Sequence, residues 1–220
     1  MAASAIQIIS LEGNIGSGKS TLLENLRSHF ADDKRVLFLK EPVGEWETVC
    51  DKDGTTMLQK FYADQKKYSF PFQMMAYISR LVMLKNAIKE NPEASIFITE
   101  RSLYTDKYVF AKMLYDMGNI EEVNYQIYMK WFDAFAAEFP IAKVVYVRTD
   151  PHICHERIQM RSREGEDCIP LDYLHSCHAY HETMVETHFA DVKTINGNVD
   201  IRNEPQQMGA WIHIVEEFVA

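Results

Sequence analysis

The strongest constraint on the fold of this chain is a glycine-rich stretch near its start, Gly13-Asn14-Ile15-Gly16-Ser17-Gly18-Lys19-Ser20-Thr21. Gly13, Gly18, Lys19 and Ser20 fit the phosphate-loop pattern G-x-x-x-x-G-K-[ST]. Glycines let the backbone curl until successive N–H groups converge on phosphate oxygens, an approach that a Cβ would obstruct. In such a loop the lysine reaches the β/γ-phosphates and the following hydroxyl can ligate Mg²⁺, the roles expected of Lys19 and Ser20. Ile6, Ile8, Ile9 and Leu11 enter the loop as a short apolar strand. Leu22, Leu23, Leu26 and Phe30 leave it at helical spacing. The loop therefore sits between a strand and a helix N-terminus, whose partial positive charge favours a nucleoside triphosphate.

The rest of the chain alternates strands with helices. Further strands are predicted at 35–40, ending at Glu41-Pro42, at 95–99, ending at Glu100-Arg101, at 142–147 and at 192–195. Residues 43–56 read as a loop or a broken helix. Helices are predicted over 57–67, from Pro71 to the stop at Asn91-Pro92, over 103–117 and over 121–138. Others start at Asp150-Pro151 and at Pro170, the latter running to about Phe189, and a final helix closes the chain. This order implies an α/β fold, a five-stranded parallel sheet covered by helices on both faces. With 220 residues, 47 % of them hydrophobic, residues 1–220 are expected to form a single domain.

A formal net charge of −9 argues against general nucleic-acid binding, so any phosphate must be met by locally placed cations. Cys50, Cys154, Cys168 and Cys177 form no C-x-x-C pair and no secretory signal precedes them, which suggests reduced thiols and a cytoplasmic protein. No apolar run is long enough to span a membrane. The histidines at 152, 155, 175, 178, 181 and 188 lack zinc-site spacing and are read as helix surface or core.

Parallel sheets bind ligands at the carboxyl ends of their strands, where the glycine loop, Glu41 and Glu100-Arg101 all fall. A sugar hydroxyl must lose its proton as it attacks phosphorus, and Glu41 is placed to take it. The plain alternative is a helix-capping or loop carboxylate. Glu100 can hold Mg²⁺ or its waters, and Arg101 can hold the acceptor oxygen or the developing phosphoryl charge, unless the two merely form a surface ion pair. Arg157, Arg161 and Arg163 lead into a polar loop, and residues of about 161–169 read as an Arg-rich lid over the phosphates or, alternatively, as a salt-bridged helix face.

Several motifs coincide: Gly13-Asn-Ile-Gly-Ser-Gly-Lys-Ser20, Glu41-Pro-Val-x-x-Trp46, Phe70-Pro-Phe-Gln73, Glu100-Arg-Ser-x-Tyr-x-Asp106, and Arg161-x-Arg163 with Ile169-Pro-Leu-x-Tyr-Leu174. From about residue 6 to 182 the chain resembles the deoxynucleoside kinases; the final forty residues match loosely. The resemblance implies the P-loop kinase fold, ATP as phosphate donor, Mg²⁺, and transfer of the γ-phosphate to a deoxynucleoside 5′-hydroxyl. It implies Glu41 as base on that hydroxyl, Arg101 as its contact, Glu100 near Mg²⁺, and Tyr62 with Glu166 on the sugar 3′-hydroxyl. The lid sequence leaves Glu164 as an alternative to Glu166. By the same resemblance Gln73 bonds the nucleobase, Phe72 and Phe110 sandwich it, and Val43, Trp46 and Leu58 line its pocket. Arg80 and Asp106 match members that take deoxycytidine or purine deoxynucleosides; thymidine-specialised members look less polar there. The resemblance also implies a homodimer packed through helices, with those at 71–90 and 103–117 as candidates. A thymidylate-type nucleotide kinase would share the fold, but its anionic acceptor would be repelled by Glu41. A GTP switch is the distant rival: Asp51-Lys-Asp-Gly54 fits D-x-x-G, yet no Asn-Lys-x-Asp guanine reader occurs.

Overall fold

The structure is a computed structural model that describes residues 6–161, 169–201 and 203–219. Five strands, β1 (Gln7–Glu12), β2 (Val36–Leu39), β3 (Ile96–Glu100), β4 (Lys143–Arg148) and β5 (Val192–Asn196), form one parallel sheet in the order β2-β3-β1-β4-β5. Each lies within about one residue of its predicted span. Ile9 pairs with Ile98 and Leu11 with Glu100, while Leu39 pairs with Thr99. The ends of β1, β2 and β3 are thereby brought level, and Glu12, Glu41 and Arg101 leave the sheet at one edge.

Alternation along the strands decides what each face receives. Ile9, Leu11, Ile96, Ile98, Val145 and Val147 pack against α1 (Lys19–His29) and α10 (Gln206–Val219). Ile8 and Phe97 point the other way, into Tyr77, Leu81 and Leu84 of α4 (Gln65–Glu90) and Tyr128 and Phe132 of α7 (Glu122–Phe135). A third apolar cluster lies beside the strand ends. It joins α2 (Val43–Trp46), α3 (Met57–Ala63) and α4 to α8 (Pro151–Arg161) and α9 (Leu171–His188), with Trp46, Phe61, Phe72, Cys154, Ile158 and Leu174 at its centre.

Three helical expectations need correction. Pro71 does not open a helix: α4 begins at Gln65, where the Asp64 carboxylate caps the Lys67 N–H, so the break falls at Asp64. Met57 opens α3 behind a Thr56/Gln59 capping box, as the start of the predicted 57–67 helix requires, but the helix ends at Ala63, ahead of the same break at Asp64. The stretch 103–117 is also not one regular helix. It comprises α5 (Leu103–Thr105), a π-helical segment Asp106–Ala111, and α6 (Lys112–Asp116). Hydrophobic spacing cannot distinguish a π-turn from an α-turn, and π-turns recur at functional sites. Leu103, Val109, Ala111, Met113 and Leu114 are all buried, while Met117 at its end is exposed. Among the described residues no helix is long and apolar enough to cross a membrane.

Candidate active site

Gly18 takes a left-handed conformation, φ 104°, and closes the loop onto α1, so the helix begins at Lys19 with its N-terminus open to the cleft. Gly13 and Asn14 do not line that cleft; they hold the loop's shape. The Asn14 amide donates to Leu174 O at 2.9 Å while its Oδ1 accepts the Ile15 N–H at 2.8 Å. Ile15, Gly16, Ser17, Gly18, Lys19, Ser20 and Thr21 do line it. Lys19 Nζ donates to Asn14 O at 2.6 Å and Ser17 Oγ at 3.2 Å. Burial, reinforced by Arg101, lowers this amine to about 7 against the pull of Glu100 and Glu41. A triphosphate brought to Nζ would favour its protonated form.

Ser20 Oγ donates to Glu100 Oε1 at 2.5 Å, pairing a hydroxyl with a carboxylate one strand away. These hard oxygen donors, touching beside the loop, suit Mg²⁺. Arg157 lines the cleft but spends its guanidinium on carbonyls: Ser17 O at 3.3 Å, Gly197 O at 2.9 Å and Val199 O at 3.0 Å. It ties the loop to the turn after β5. Arg161 lines the same end. Arg163, Glu164 and Glu166, and most of the expected lid, lie outside the described residues.

Glu41, just past β2, is the hub of the opposite side. Arg101 Nη1 lies 2.8 and 2.7 Å from its two oxygens, and Arg80 Nη2 donates to Oε1 at 2.9 Å. Burial pushes the Glu41 carboxyl up, but Arg101, Arg80 and Lys19 outweigh it and hold it at about 2. Arg80 also reaches Asp106 Oδ2 through Nε at 3.0 Å and Glu100 O through Nη1 at 2.8 Å. Asp106 is raised by burial to about 6, with Arg80 pulling the other way. Arg80 is not part of the cleft wall: it lies beneath it, joining Asp106, which does line the wall, to Glu41.

The cleft is one continuous cavity of about 790 Å³ running from the glycine loop to Gln73, large enough for a ligand with both polar and aromatic parts. Glu41, Val43, Trp46, Leu58, Tyr62, Phe72, Gln73, Glu100, Arg101, Asp106 and Phe110 all line it. Trp46 is fixed by an Nε1 bond to Ser79 Oγ at 2.8 Å, and Arg101 lies 5.2 Å from the centre of the Phe110 ring. Buried Gln73 Oε1 has no protein partner among the described residues, an acceptor available to a ligand.

Some lining residues were missed. Phe61 stacks on Phe72 at 4.6 Å and 16°, so one face of Phe72 is already occupied. Tyr173 meets Tyr62 edge-on at 6.5 Å. Val199, Asp200, Ile201 and Trp211 close the end near Arg161. The aromatic pair Phe61-Tyr62 was visible in the sequence, but that both line the cleft depends on where α3 starts.

Comparison with known proteins decides the class of ligand. A family described as deoxynucleoside kinase matches residues 9–220. The chain belongs to the deoxynucleoside kinase family. Deoxycytidine kinase 2 of Gallus gallus is 33 % identical over 240 residues, covering 96 % of this chain and 89 % of that protein. Deoxycytidine kinase 1 of Xenopus laevis is 31 % identical, with 98 % and 91 % covered, and the mitochondrial deoxyguanosine kinase of Xenopus laevis is 30 % identical, with 98 % and 90 % covered. The chain is thus an enzyme, an ATP-dependent kinase of a family that acts on deoxynucleosides. The match extends through the last forty residues, where motifs alone were weak.

Proposed function

We propose that this kinase transfers the γ-phosphate of ATP to the 5′-hydroxyl of deoxycytidine or a purine deoxynucleoside, in salvage of deoxynucleotide precursors. One observation carries the reading: a carboxylate, Glu41, held between Arg101 and Arg80 midway along a cleft that has a phosphate loop at one end and an unpartnered amide oxygen at the other. A nucleoside with its base at Gln73 and its 5′-oxygen at Glu41 directs that oxygen toward the loop. Glu41 accepts the hydroxyl proton, and Arg101 steadies both the carboxylate and the oxygen. Lys19 and the N-terminus of α1 bind the β/γ-phosphates; Ser20 and Glu100 would hold Mg²⁺, which supplies charge neutralisation at the bridging oxygens. Phe72 and Phe110 bracket the base, with Val43, Trp46 and Leu58 around it and Tyr62, with Glu166 or Glu164, on the sugar. Arg157, Arg161 and Arg163 serve the ATP end. Asp106, held in the wall by buried Arg80 beneath it, presents a fixed polar group, which suits a cytosine or purine edge better than the 5-methyl of thymine. The relatives named for deoxycytidine and deoxyguanosine point the same way.

The test is a competition: purified protein, MgATP and equal deoxyadenosine, deoxyguanosine, deoxycytidine and thymidine, with each monophosphate quantified, and deoxynucleoside monophosphates offered in a parallel reaction. One of the first three should dominate. Dominance of thymidine would overturn the base preference, and phosphorylation of monophosphates alone would put a thymidylate-type kinase in its place.

We further place the enzyme in the cytoplasm as a homodimer. Cys50, Cys154 and Cys177 are free thiols, in keeping with a reducing compartment. Ile78 and Val82 on α4 and Ile127 and Trp131 on α7 are each at least 40 % exposed, and the two helices pack side by side, an apolar face suited to a second copy. Sedimentation at micromolar concentration should give about twice the chain's 25.6 kDa; a monomer would remove the dimer.

A further inference from the structure

Glu12 is a fully buried carboxylate that the scheme above leaves unused. Among the described residues no lysine, arginine or histidine pairs with it. Its charge is met by three hydroxyls: Ser10 Oγ at 2.6 Å and Ser102 Oγ at 2.7 Å donate to Oε1, and Thr105 Oγ1 donates to Oε2. A buried carboxylate without a cation is costly, and here both of its oxygens are hydrogen-bonded. Nothing about packing the end of β1 calls for a charge.

What the three hydroxyls hold is informative. Ser102 and Thr105 form the capping box of α5: Ser102 Oγ accepts the Thr105 N–H and Thr105 Oγ1 accepts the Ser102 N–H, both at 3.3 Å. Those bonds are long. Glu12 therefore supplies the short contacts that fix the box. Immediately before it stands Arg101, the one non-glycine residue with positive φ among the described residues, at 61°. For a side chain with a Cβ that conformation is strained and survives only where the surroundings enforce it. They enforce it from both sides, and both restraints come from the end of β1. Leu11 O accepts the Arg101 N–H at 2.9 Å, and Glu12 grips the two residues of the cap that follows.

We infer that Glu12 is the positioning residue for Arg101: through Ser102 and Thr105 it fixes the left-handed turn that aims the Arg101 guanidinium at Glu41. A regular extended residue at 101 would send the side chain elsewhere, and the contacts of 2.7 and 2.8 Å to Glu41 would be lost. The inference rests on the proposed role of Glu41 and Arg101 at the 5′-hydroxyl.

The test is a double-mutant cycle on turnover. Glu12→Gln keeps volume and reverses hydrogen-bond polarity, and it should lower kcat about 10- to 100-fold with both KM values changed less than about twofold, as expected when a transition-state contact is misplaced by about 1 Å. Ser102→Ala combined with Thr105→Val should reproduce the loss, which keeps the test open even if Glu12→Gln folds poorly. Ser10→Ala, which touches Glu12 but not the turn, should cost less than about threefold. Introduced into an Arg101→Gln background, Glu12→Gln should change kcat less than about threefold, because the group it aims is gone. Full additivity in that background, or a fall in melting temperature with kcat of the folded enzyme unchanged, would overturn the inference. Failure of the wild type to phosphorylate any deoxynucleoside would instead strike the functional reading itself, before any variant is compared.

Discussion

Replacing Glu41 with Gln is expected to lower kcat about 10³-fold, within the range that removal of a general base produces, while KM for MgATP and the deoxynucleoside stays within about threefold. The carboxylate is held at about 2 by Arg101, Arg80 and Lys19 against the upward push of burial, so at neutral pH it is ionised and only weakly basic. Weak basicity fits phosphoryl transfer through a loose transition state, where the hydroxyl becomes acidic late and the carboxylate's first task is to orient it. The same shift fixes the sign of a stability effect. A carboxyl whose folded pKa is depressed stabilises the native state above its unfolded pKa of about 4.3 and loses that contribution as pH falls toward 2. Glu41→Gln leaves cations of a buried cluster uncompensated, a loss of roughly 3–5 kcal/mol when one partner of a buried pair is removed. The melting-temperature gap between wild type and variant should therefore be wide at pH 7 and narrow as pH is lowered below about 4. Glu41 does not titrate above pH 4, so an acid limb near pH 6 in kcat/KM would not report Glu41. Undiminished turnover in Glu41→Gln, assayed where the variant is folded, would end the base assignment.

Much of this arrangement was legible before any coordinates, for physical reasons that can be named. The glycine loop, β1 and α1 each leave a local signature, since turn chemistry, apolar runs and helical stripes act over fewer than about ten residues. A parallel sheet then collects strand ends by topology, so Glu41, Glu100 and Arg101 could be grouped without knowing the strand order. What stayed hidden depends on long-range partners. Whether Pro71 starts a helix or sits inside one turns on whether Asp64 caps Lys67. The π-helical segment has no period of its own to detect, yet it carries both Asp106 and Phe110 into the cleft. Arg80 read as a base contact, but the fold sets it under the wall, where it links Asp106 to Glu41. Glu12 offered one clue, a carboxylate ending an apolar strand, and the two partners through which it holds the turn stand some 90 residues away.

Gly13→Ala should be strongly damaging, and comparison with two other glycines shows why. Gly209, in α10, has an ordinary helical conformation and open space around a would-be Cβ. Its replacement by Ala should stabilise by about 0.5–1 kcal/mol, through helix propensity and a less flexible unfolded chain. Gly118 has φ +73° with nothing nearby, so Gly118→Ala carries backbone strain alone, about 1–2 kcal/mol. Gly13 combines φ +144° with a Cβ position 2.6 Å from Val147 O and 2.9 Å from Ser17 Oγ. Ser17 could turn aside, but Val147 O is main chain of β4, paired to the sheet on both sides, and cannot yield without moving the strand. Gly13→Ala should therefore cost upwards of about 3 kcal/mol in denaturant unfolding, beyond strain alone. Displacing the loop also shifts Lys19 and the start of α1 relative to Glu41, so kcat/KM for MgATP should fall at least about 100-fold. The three midpoints, measured together, separate propensity, strain and collision. Equal losses at Gly118 and Gly13 would mean that the sheet backbone gives way after all, and that the approach of the loop to β4 is looser than its geometry requires.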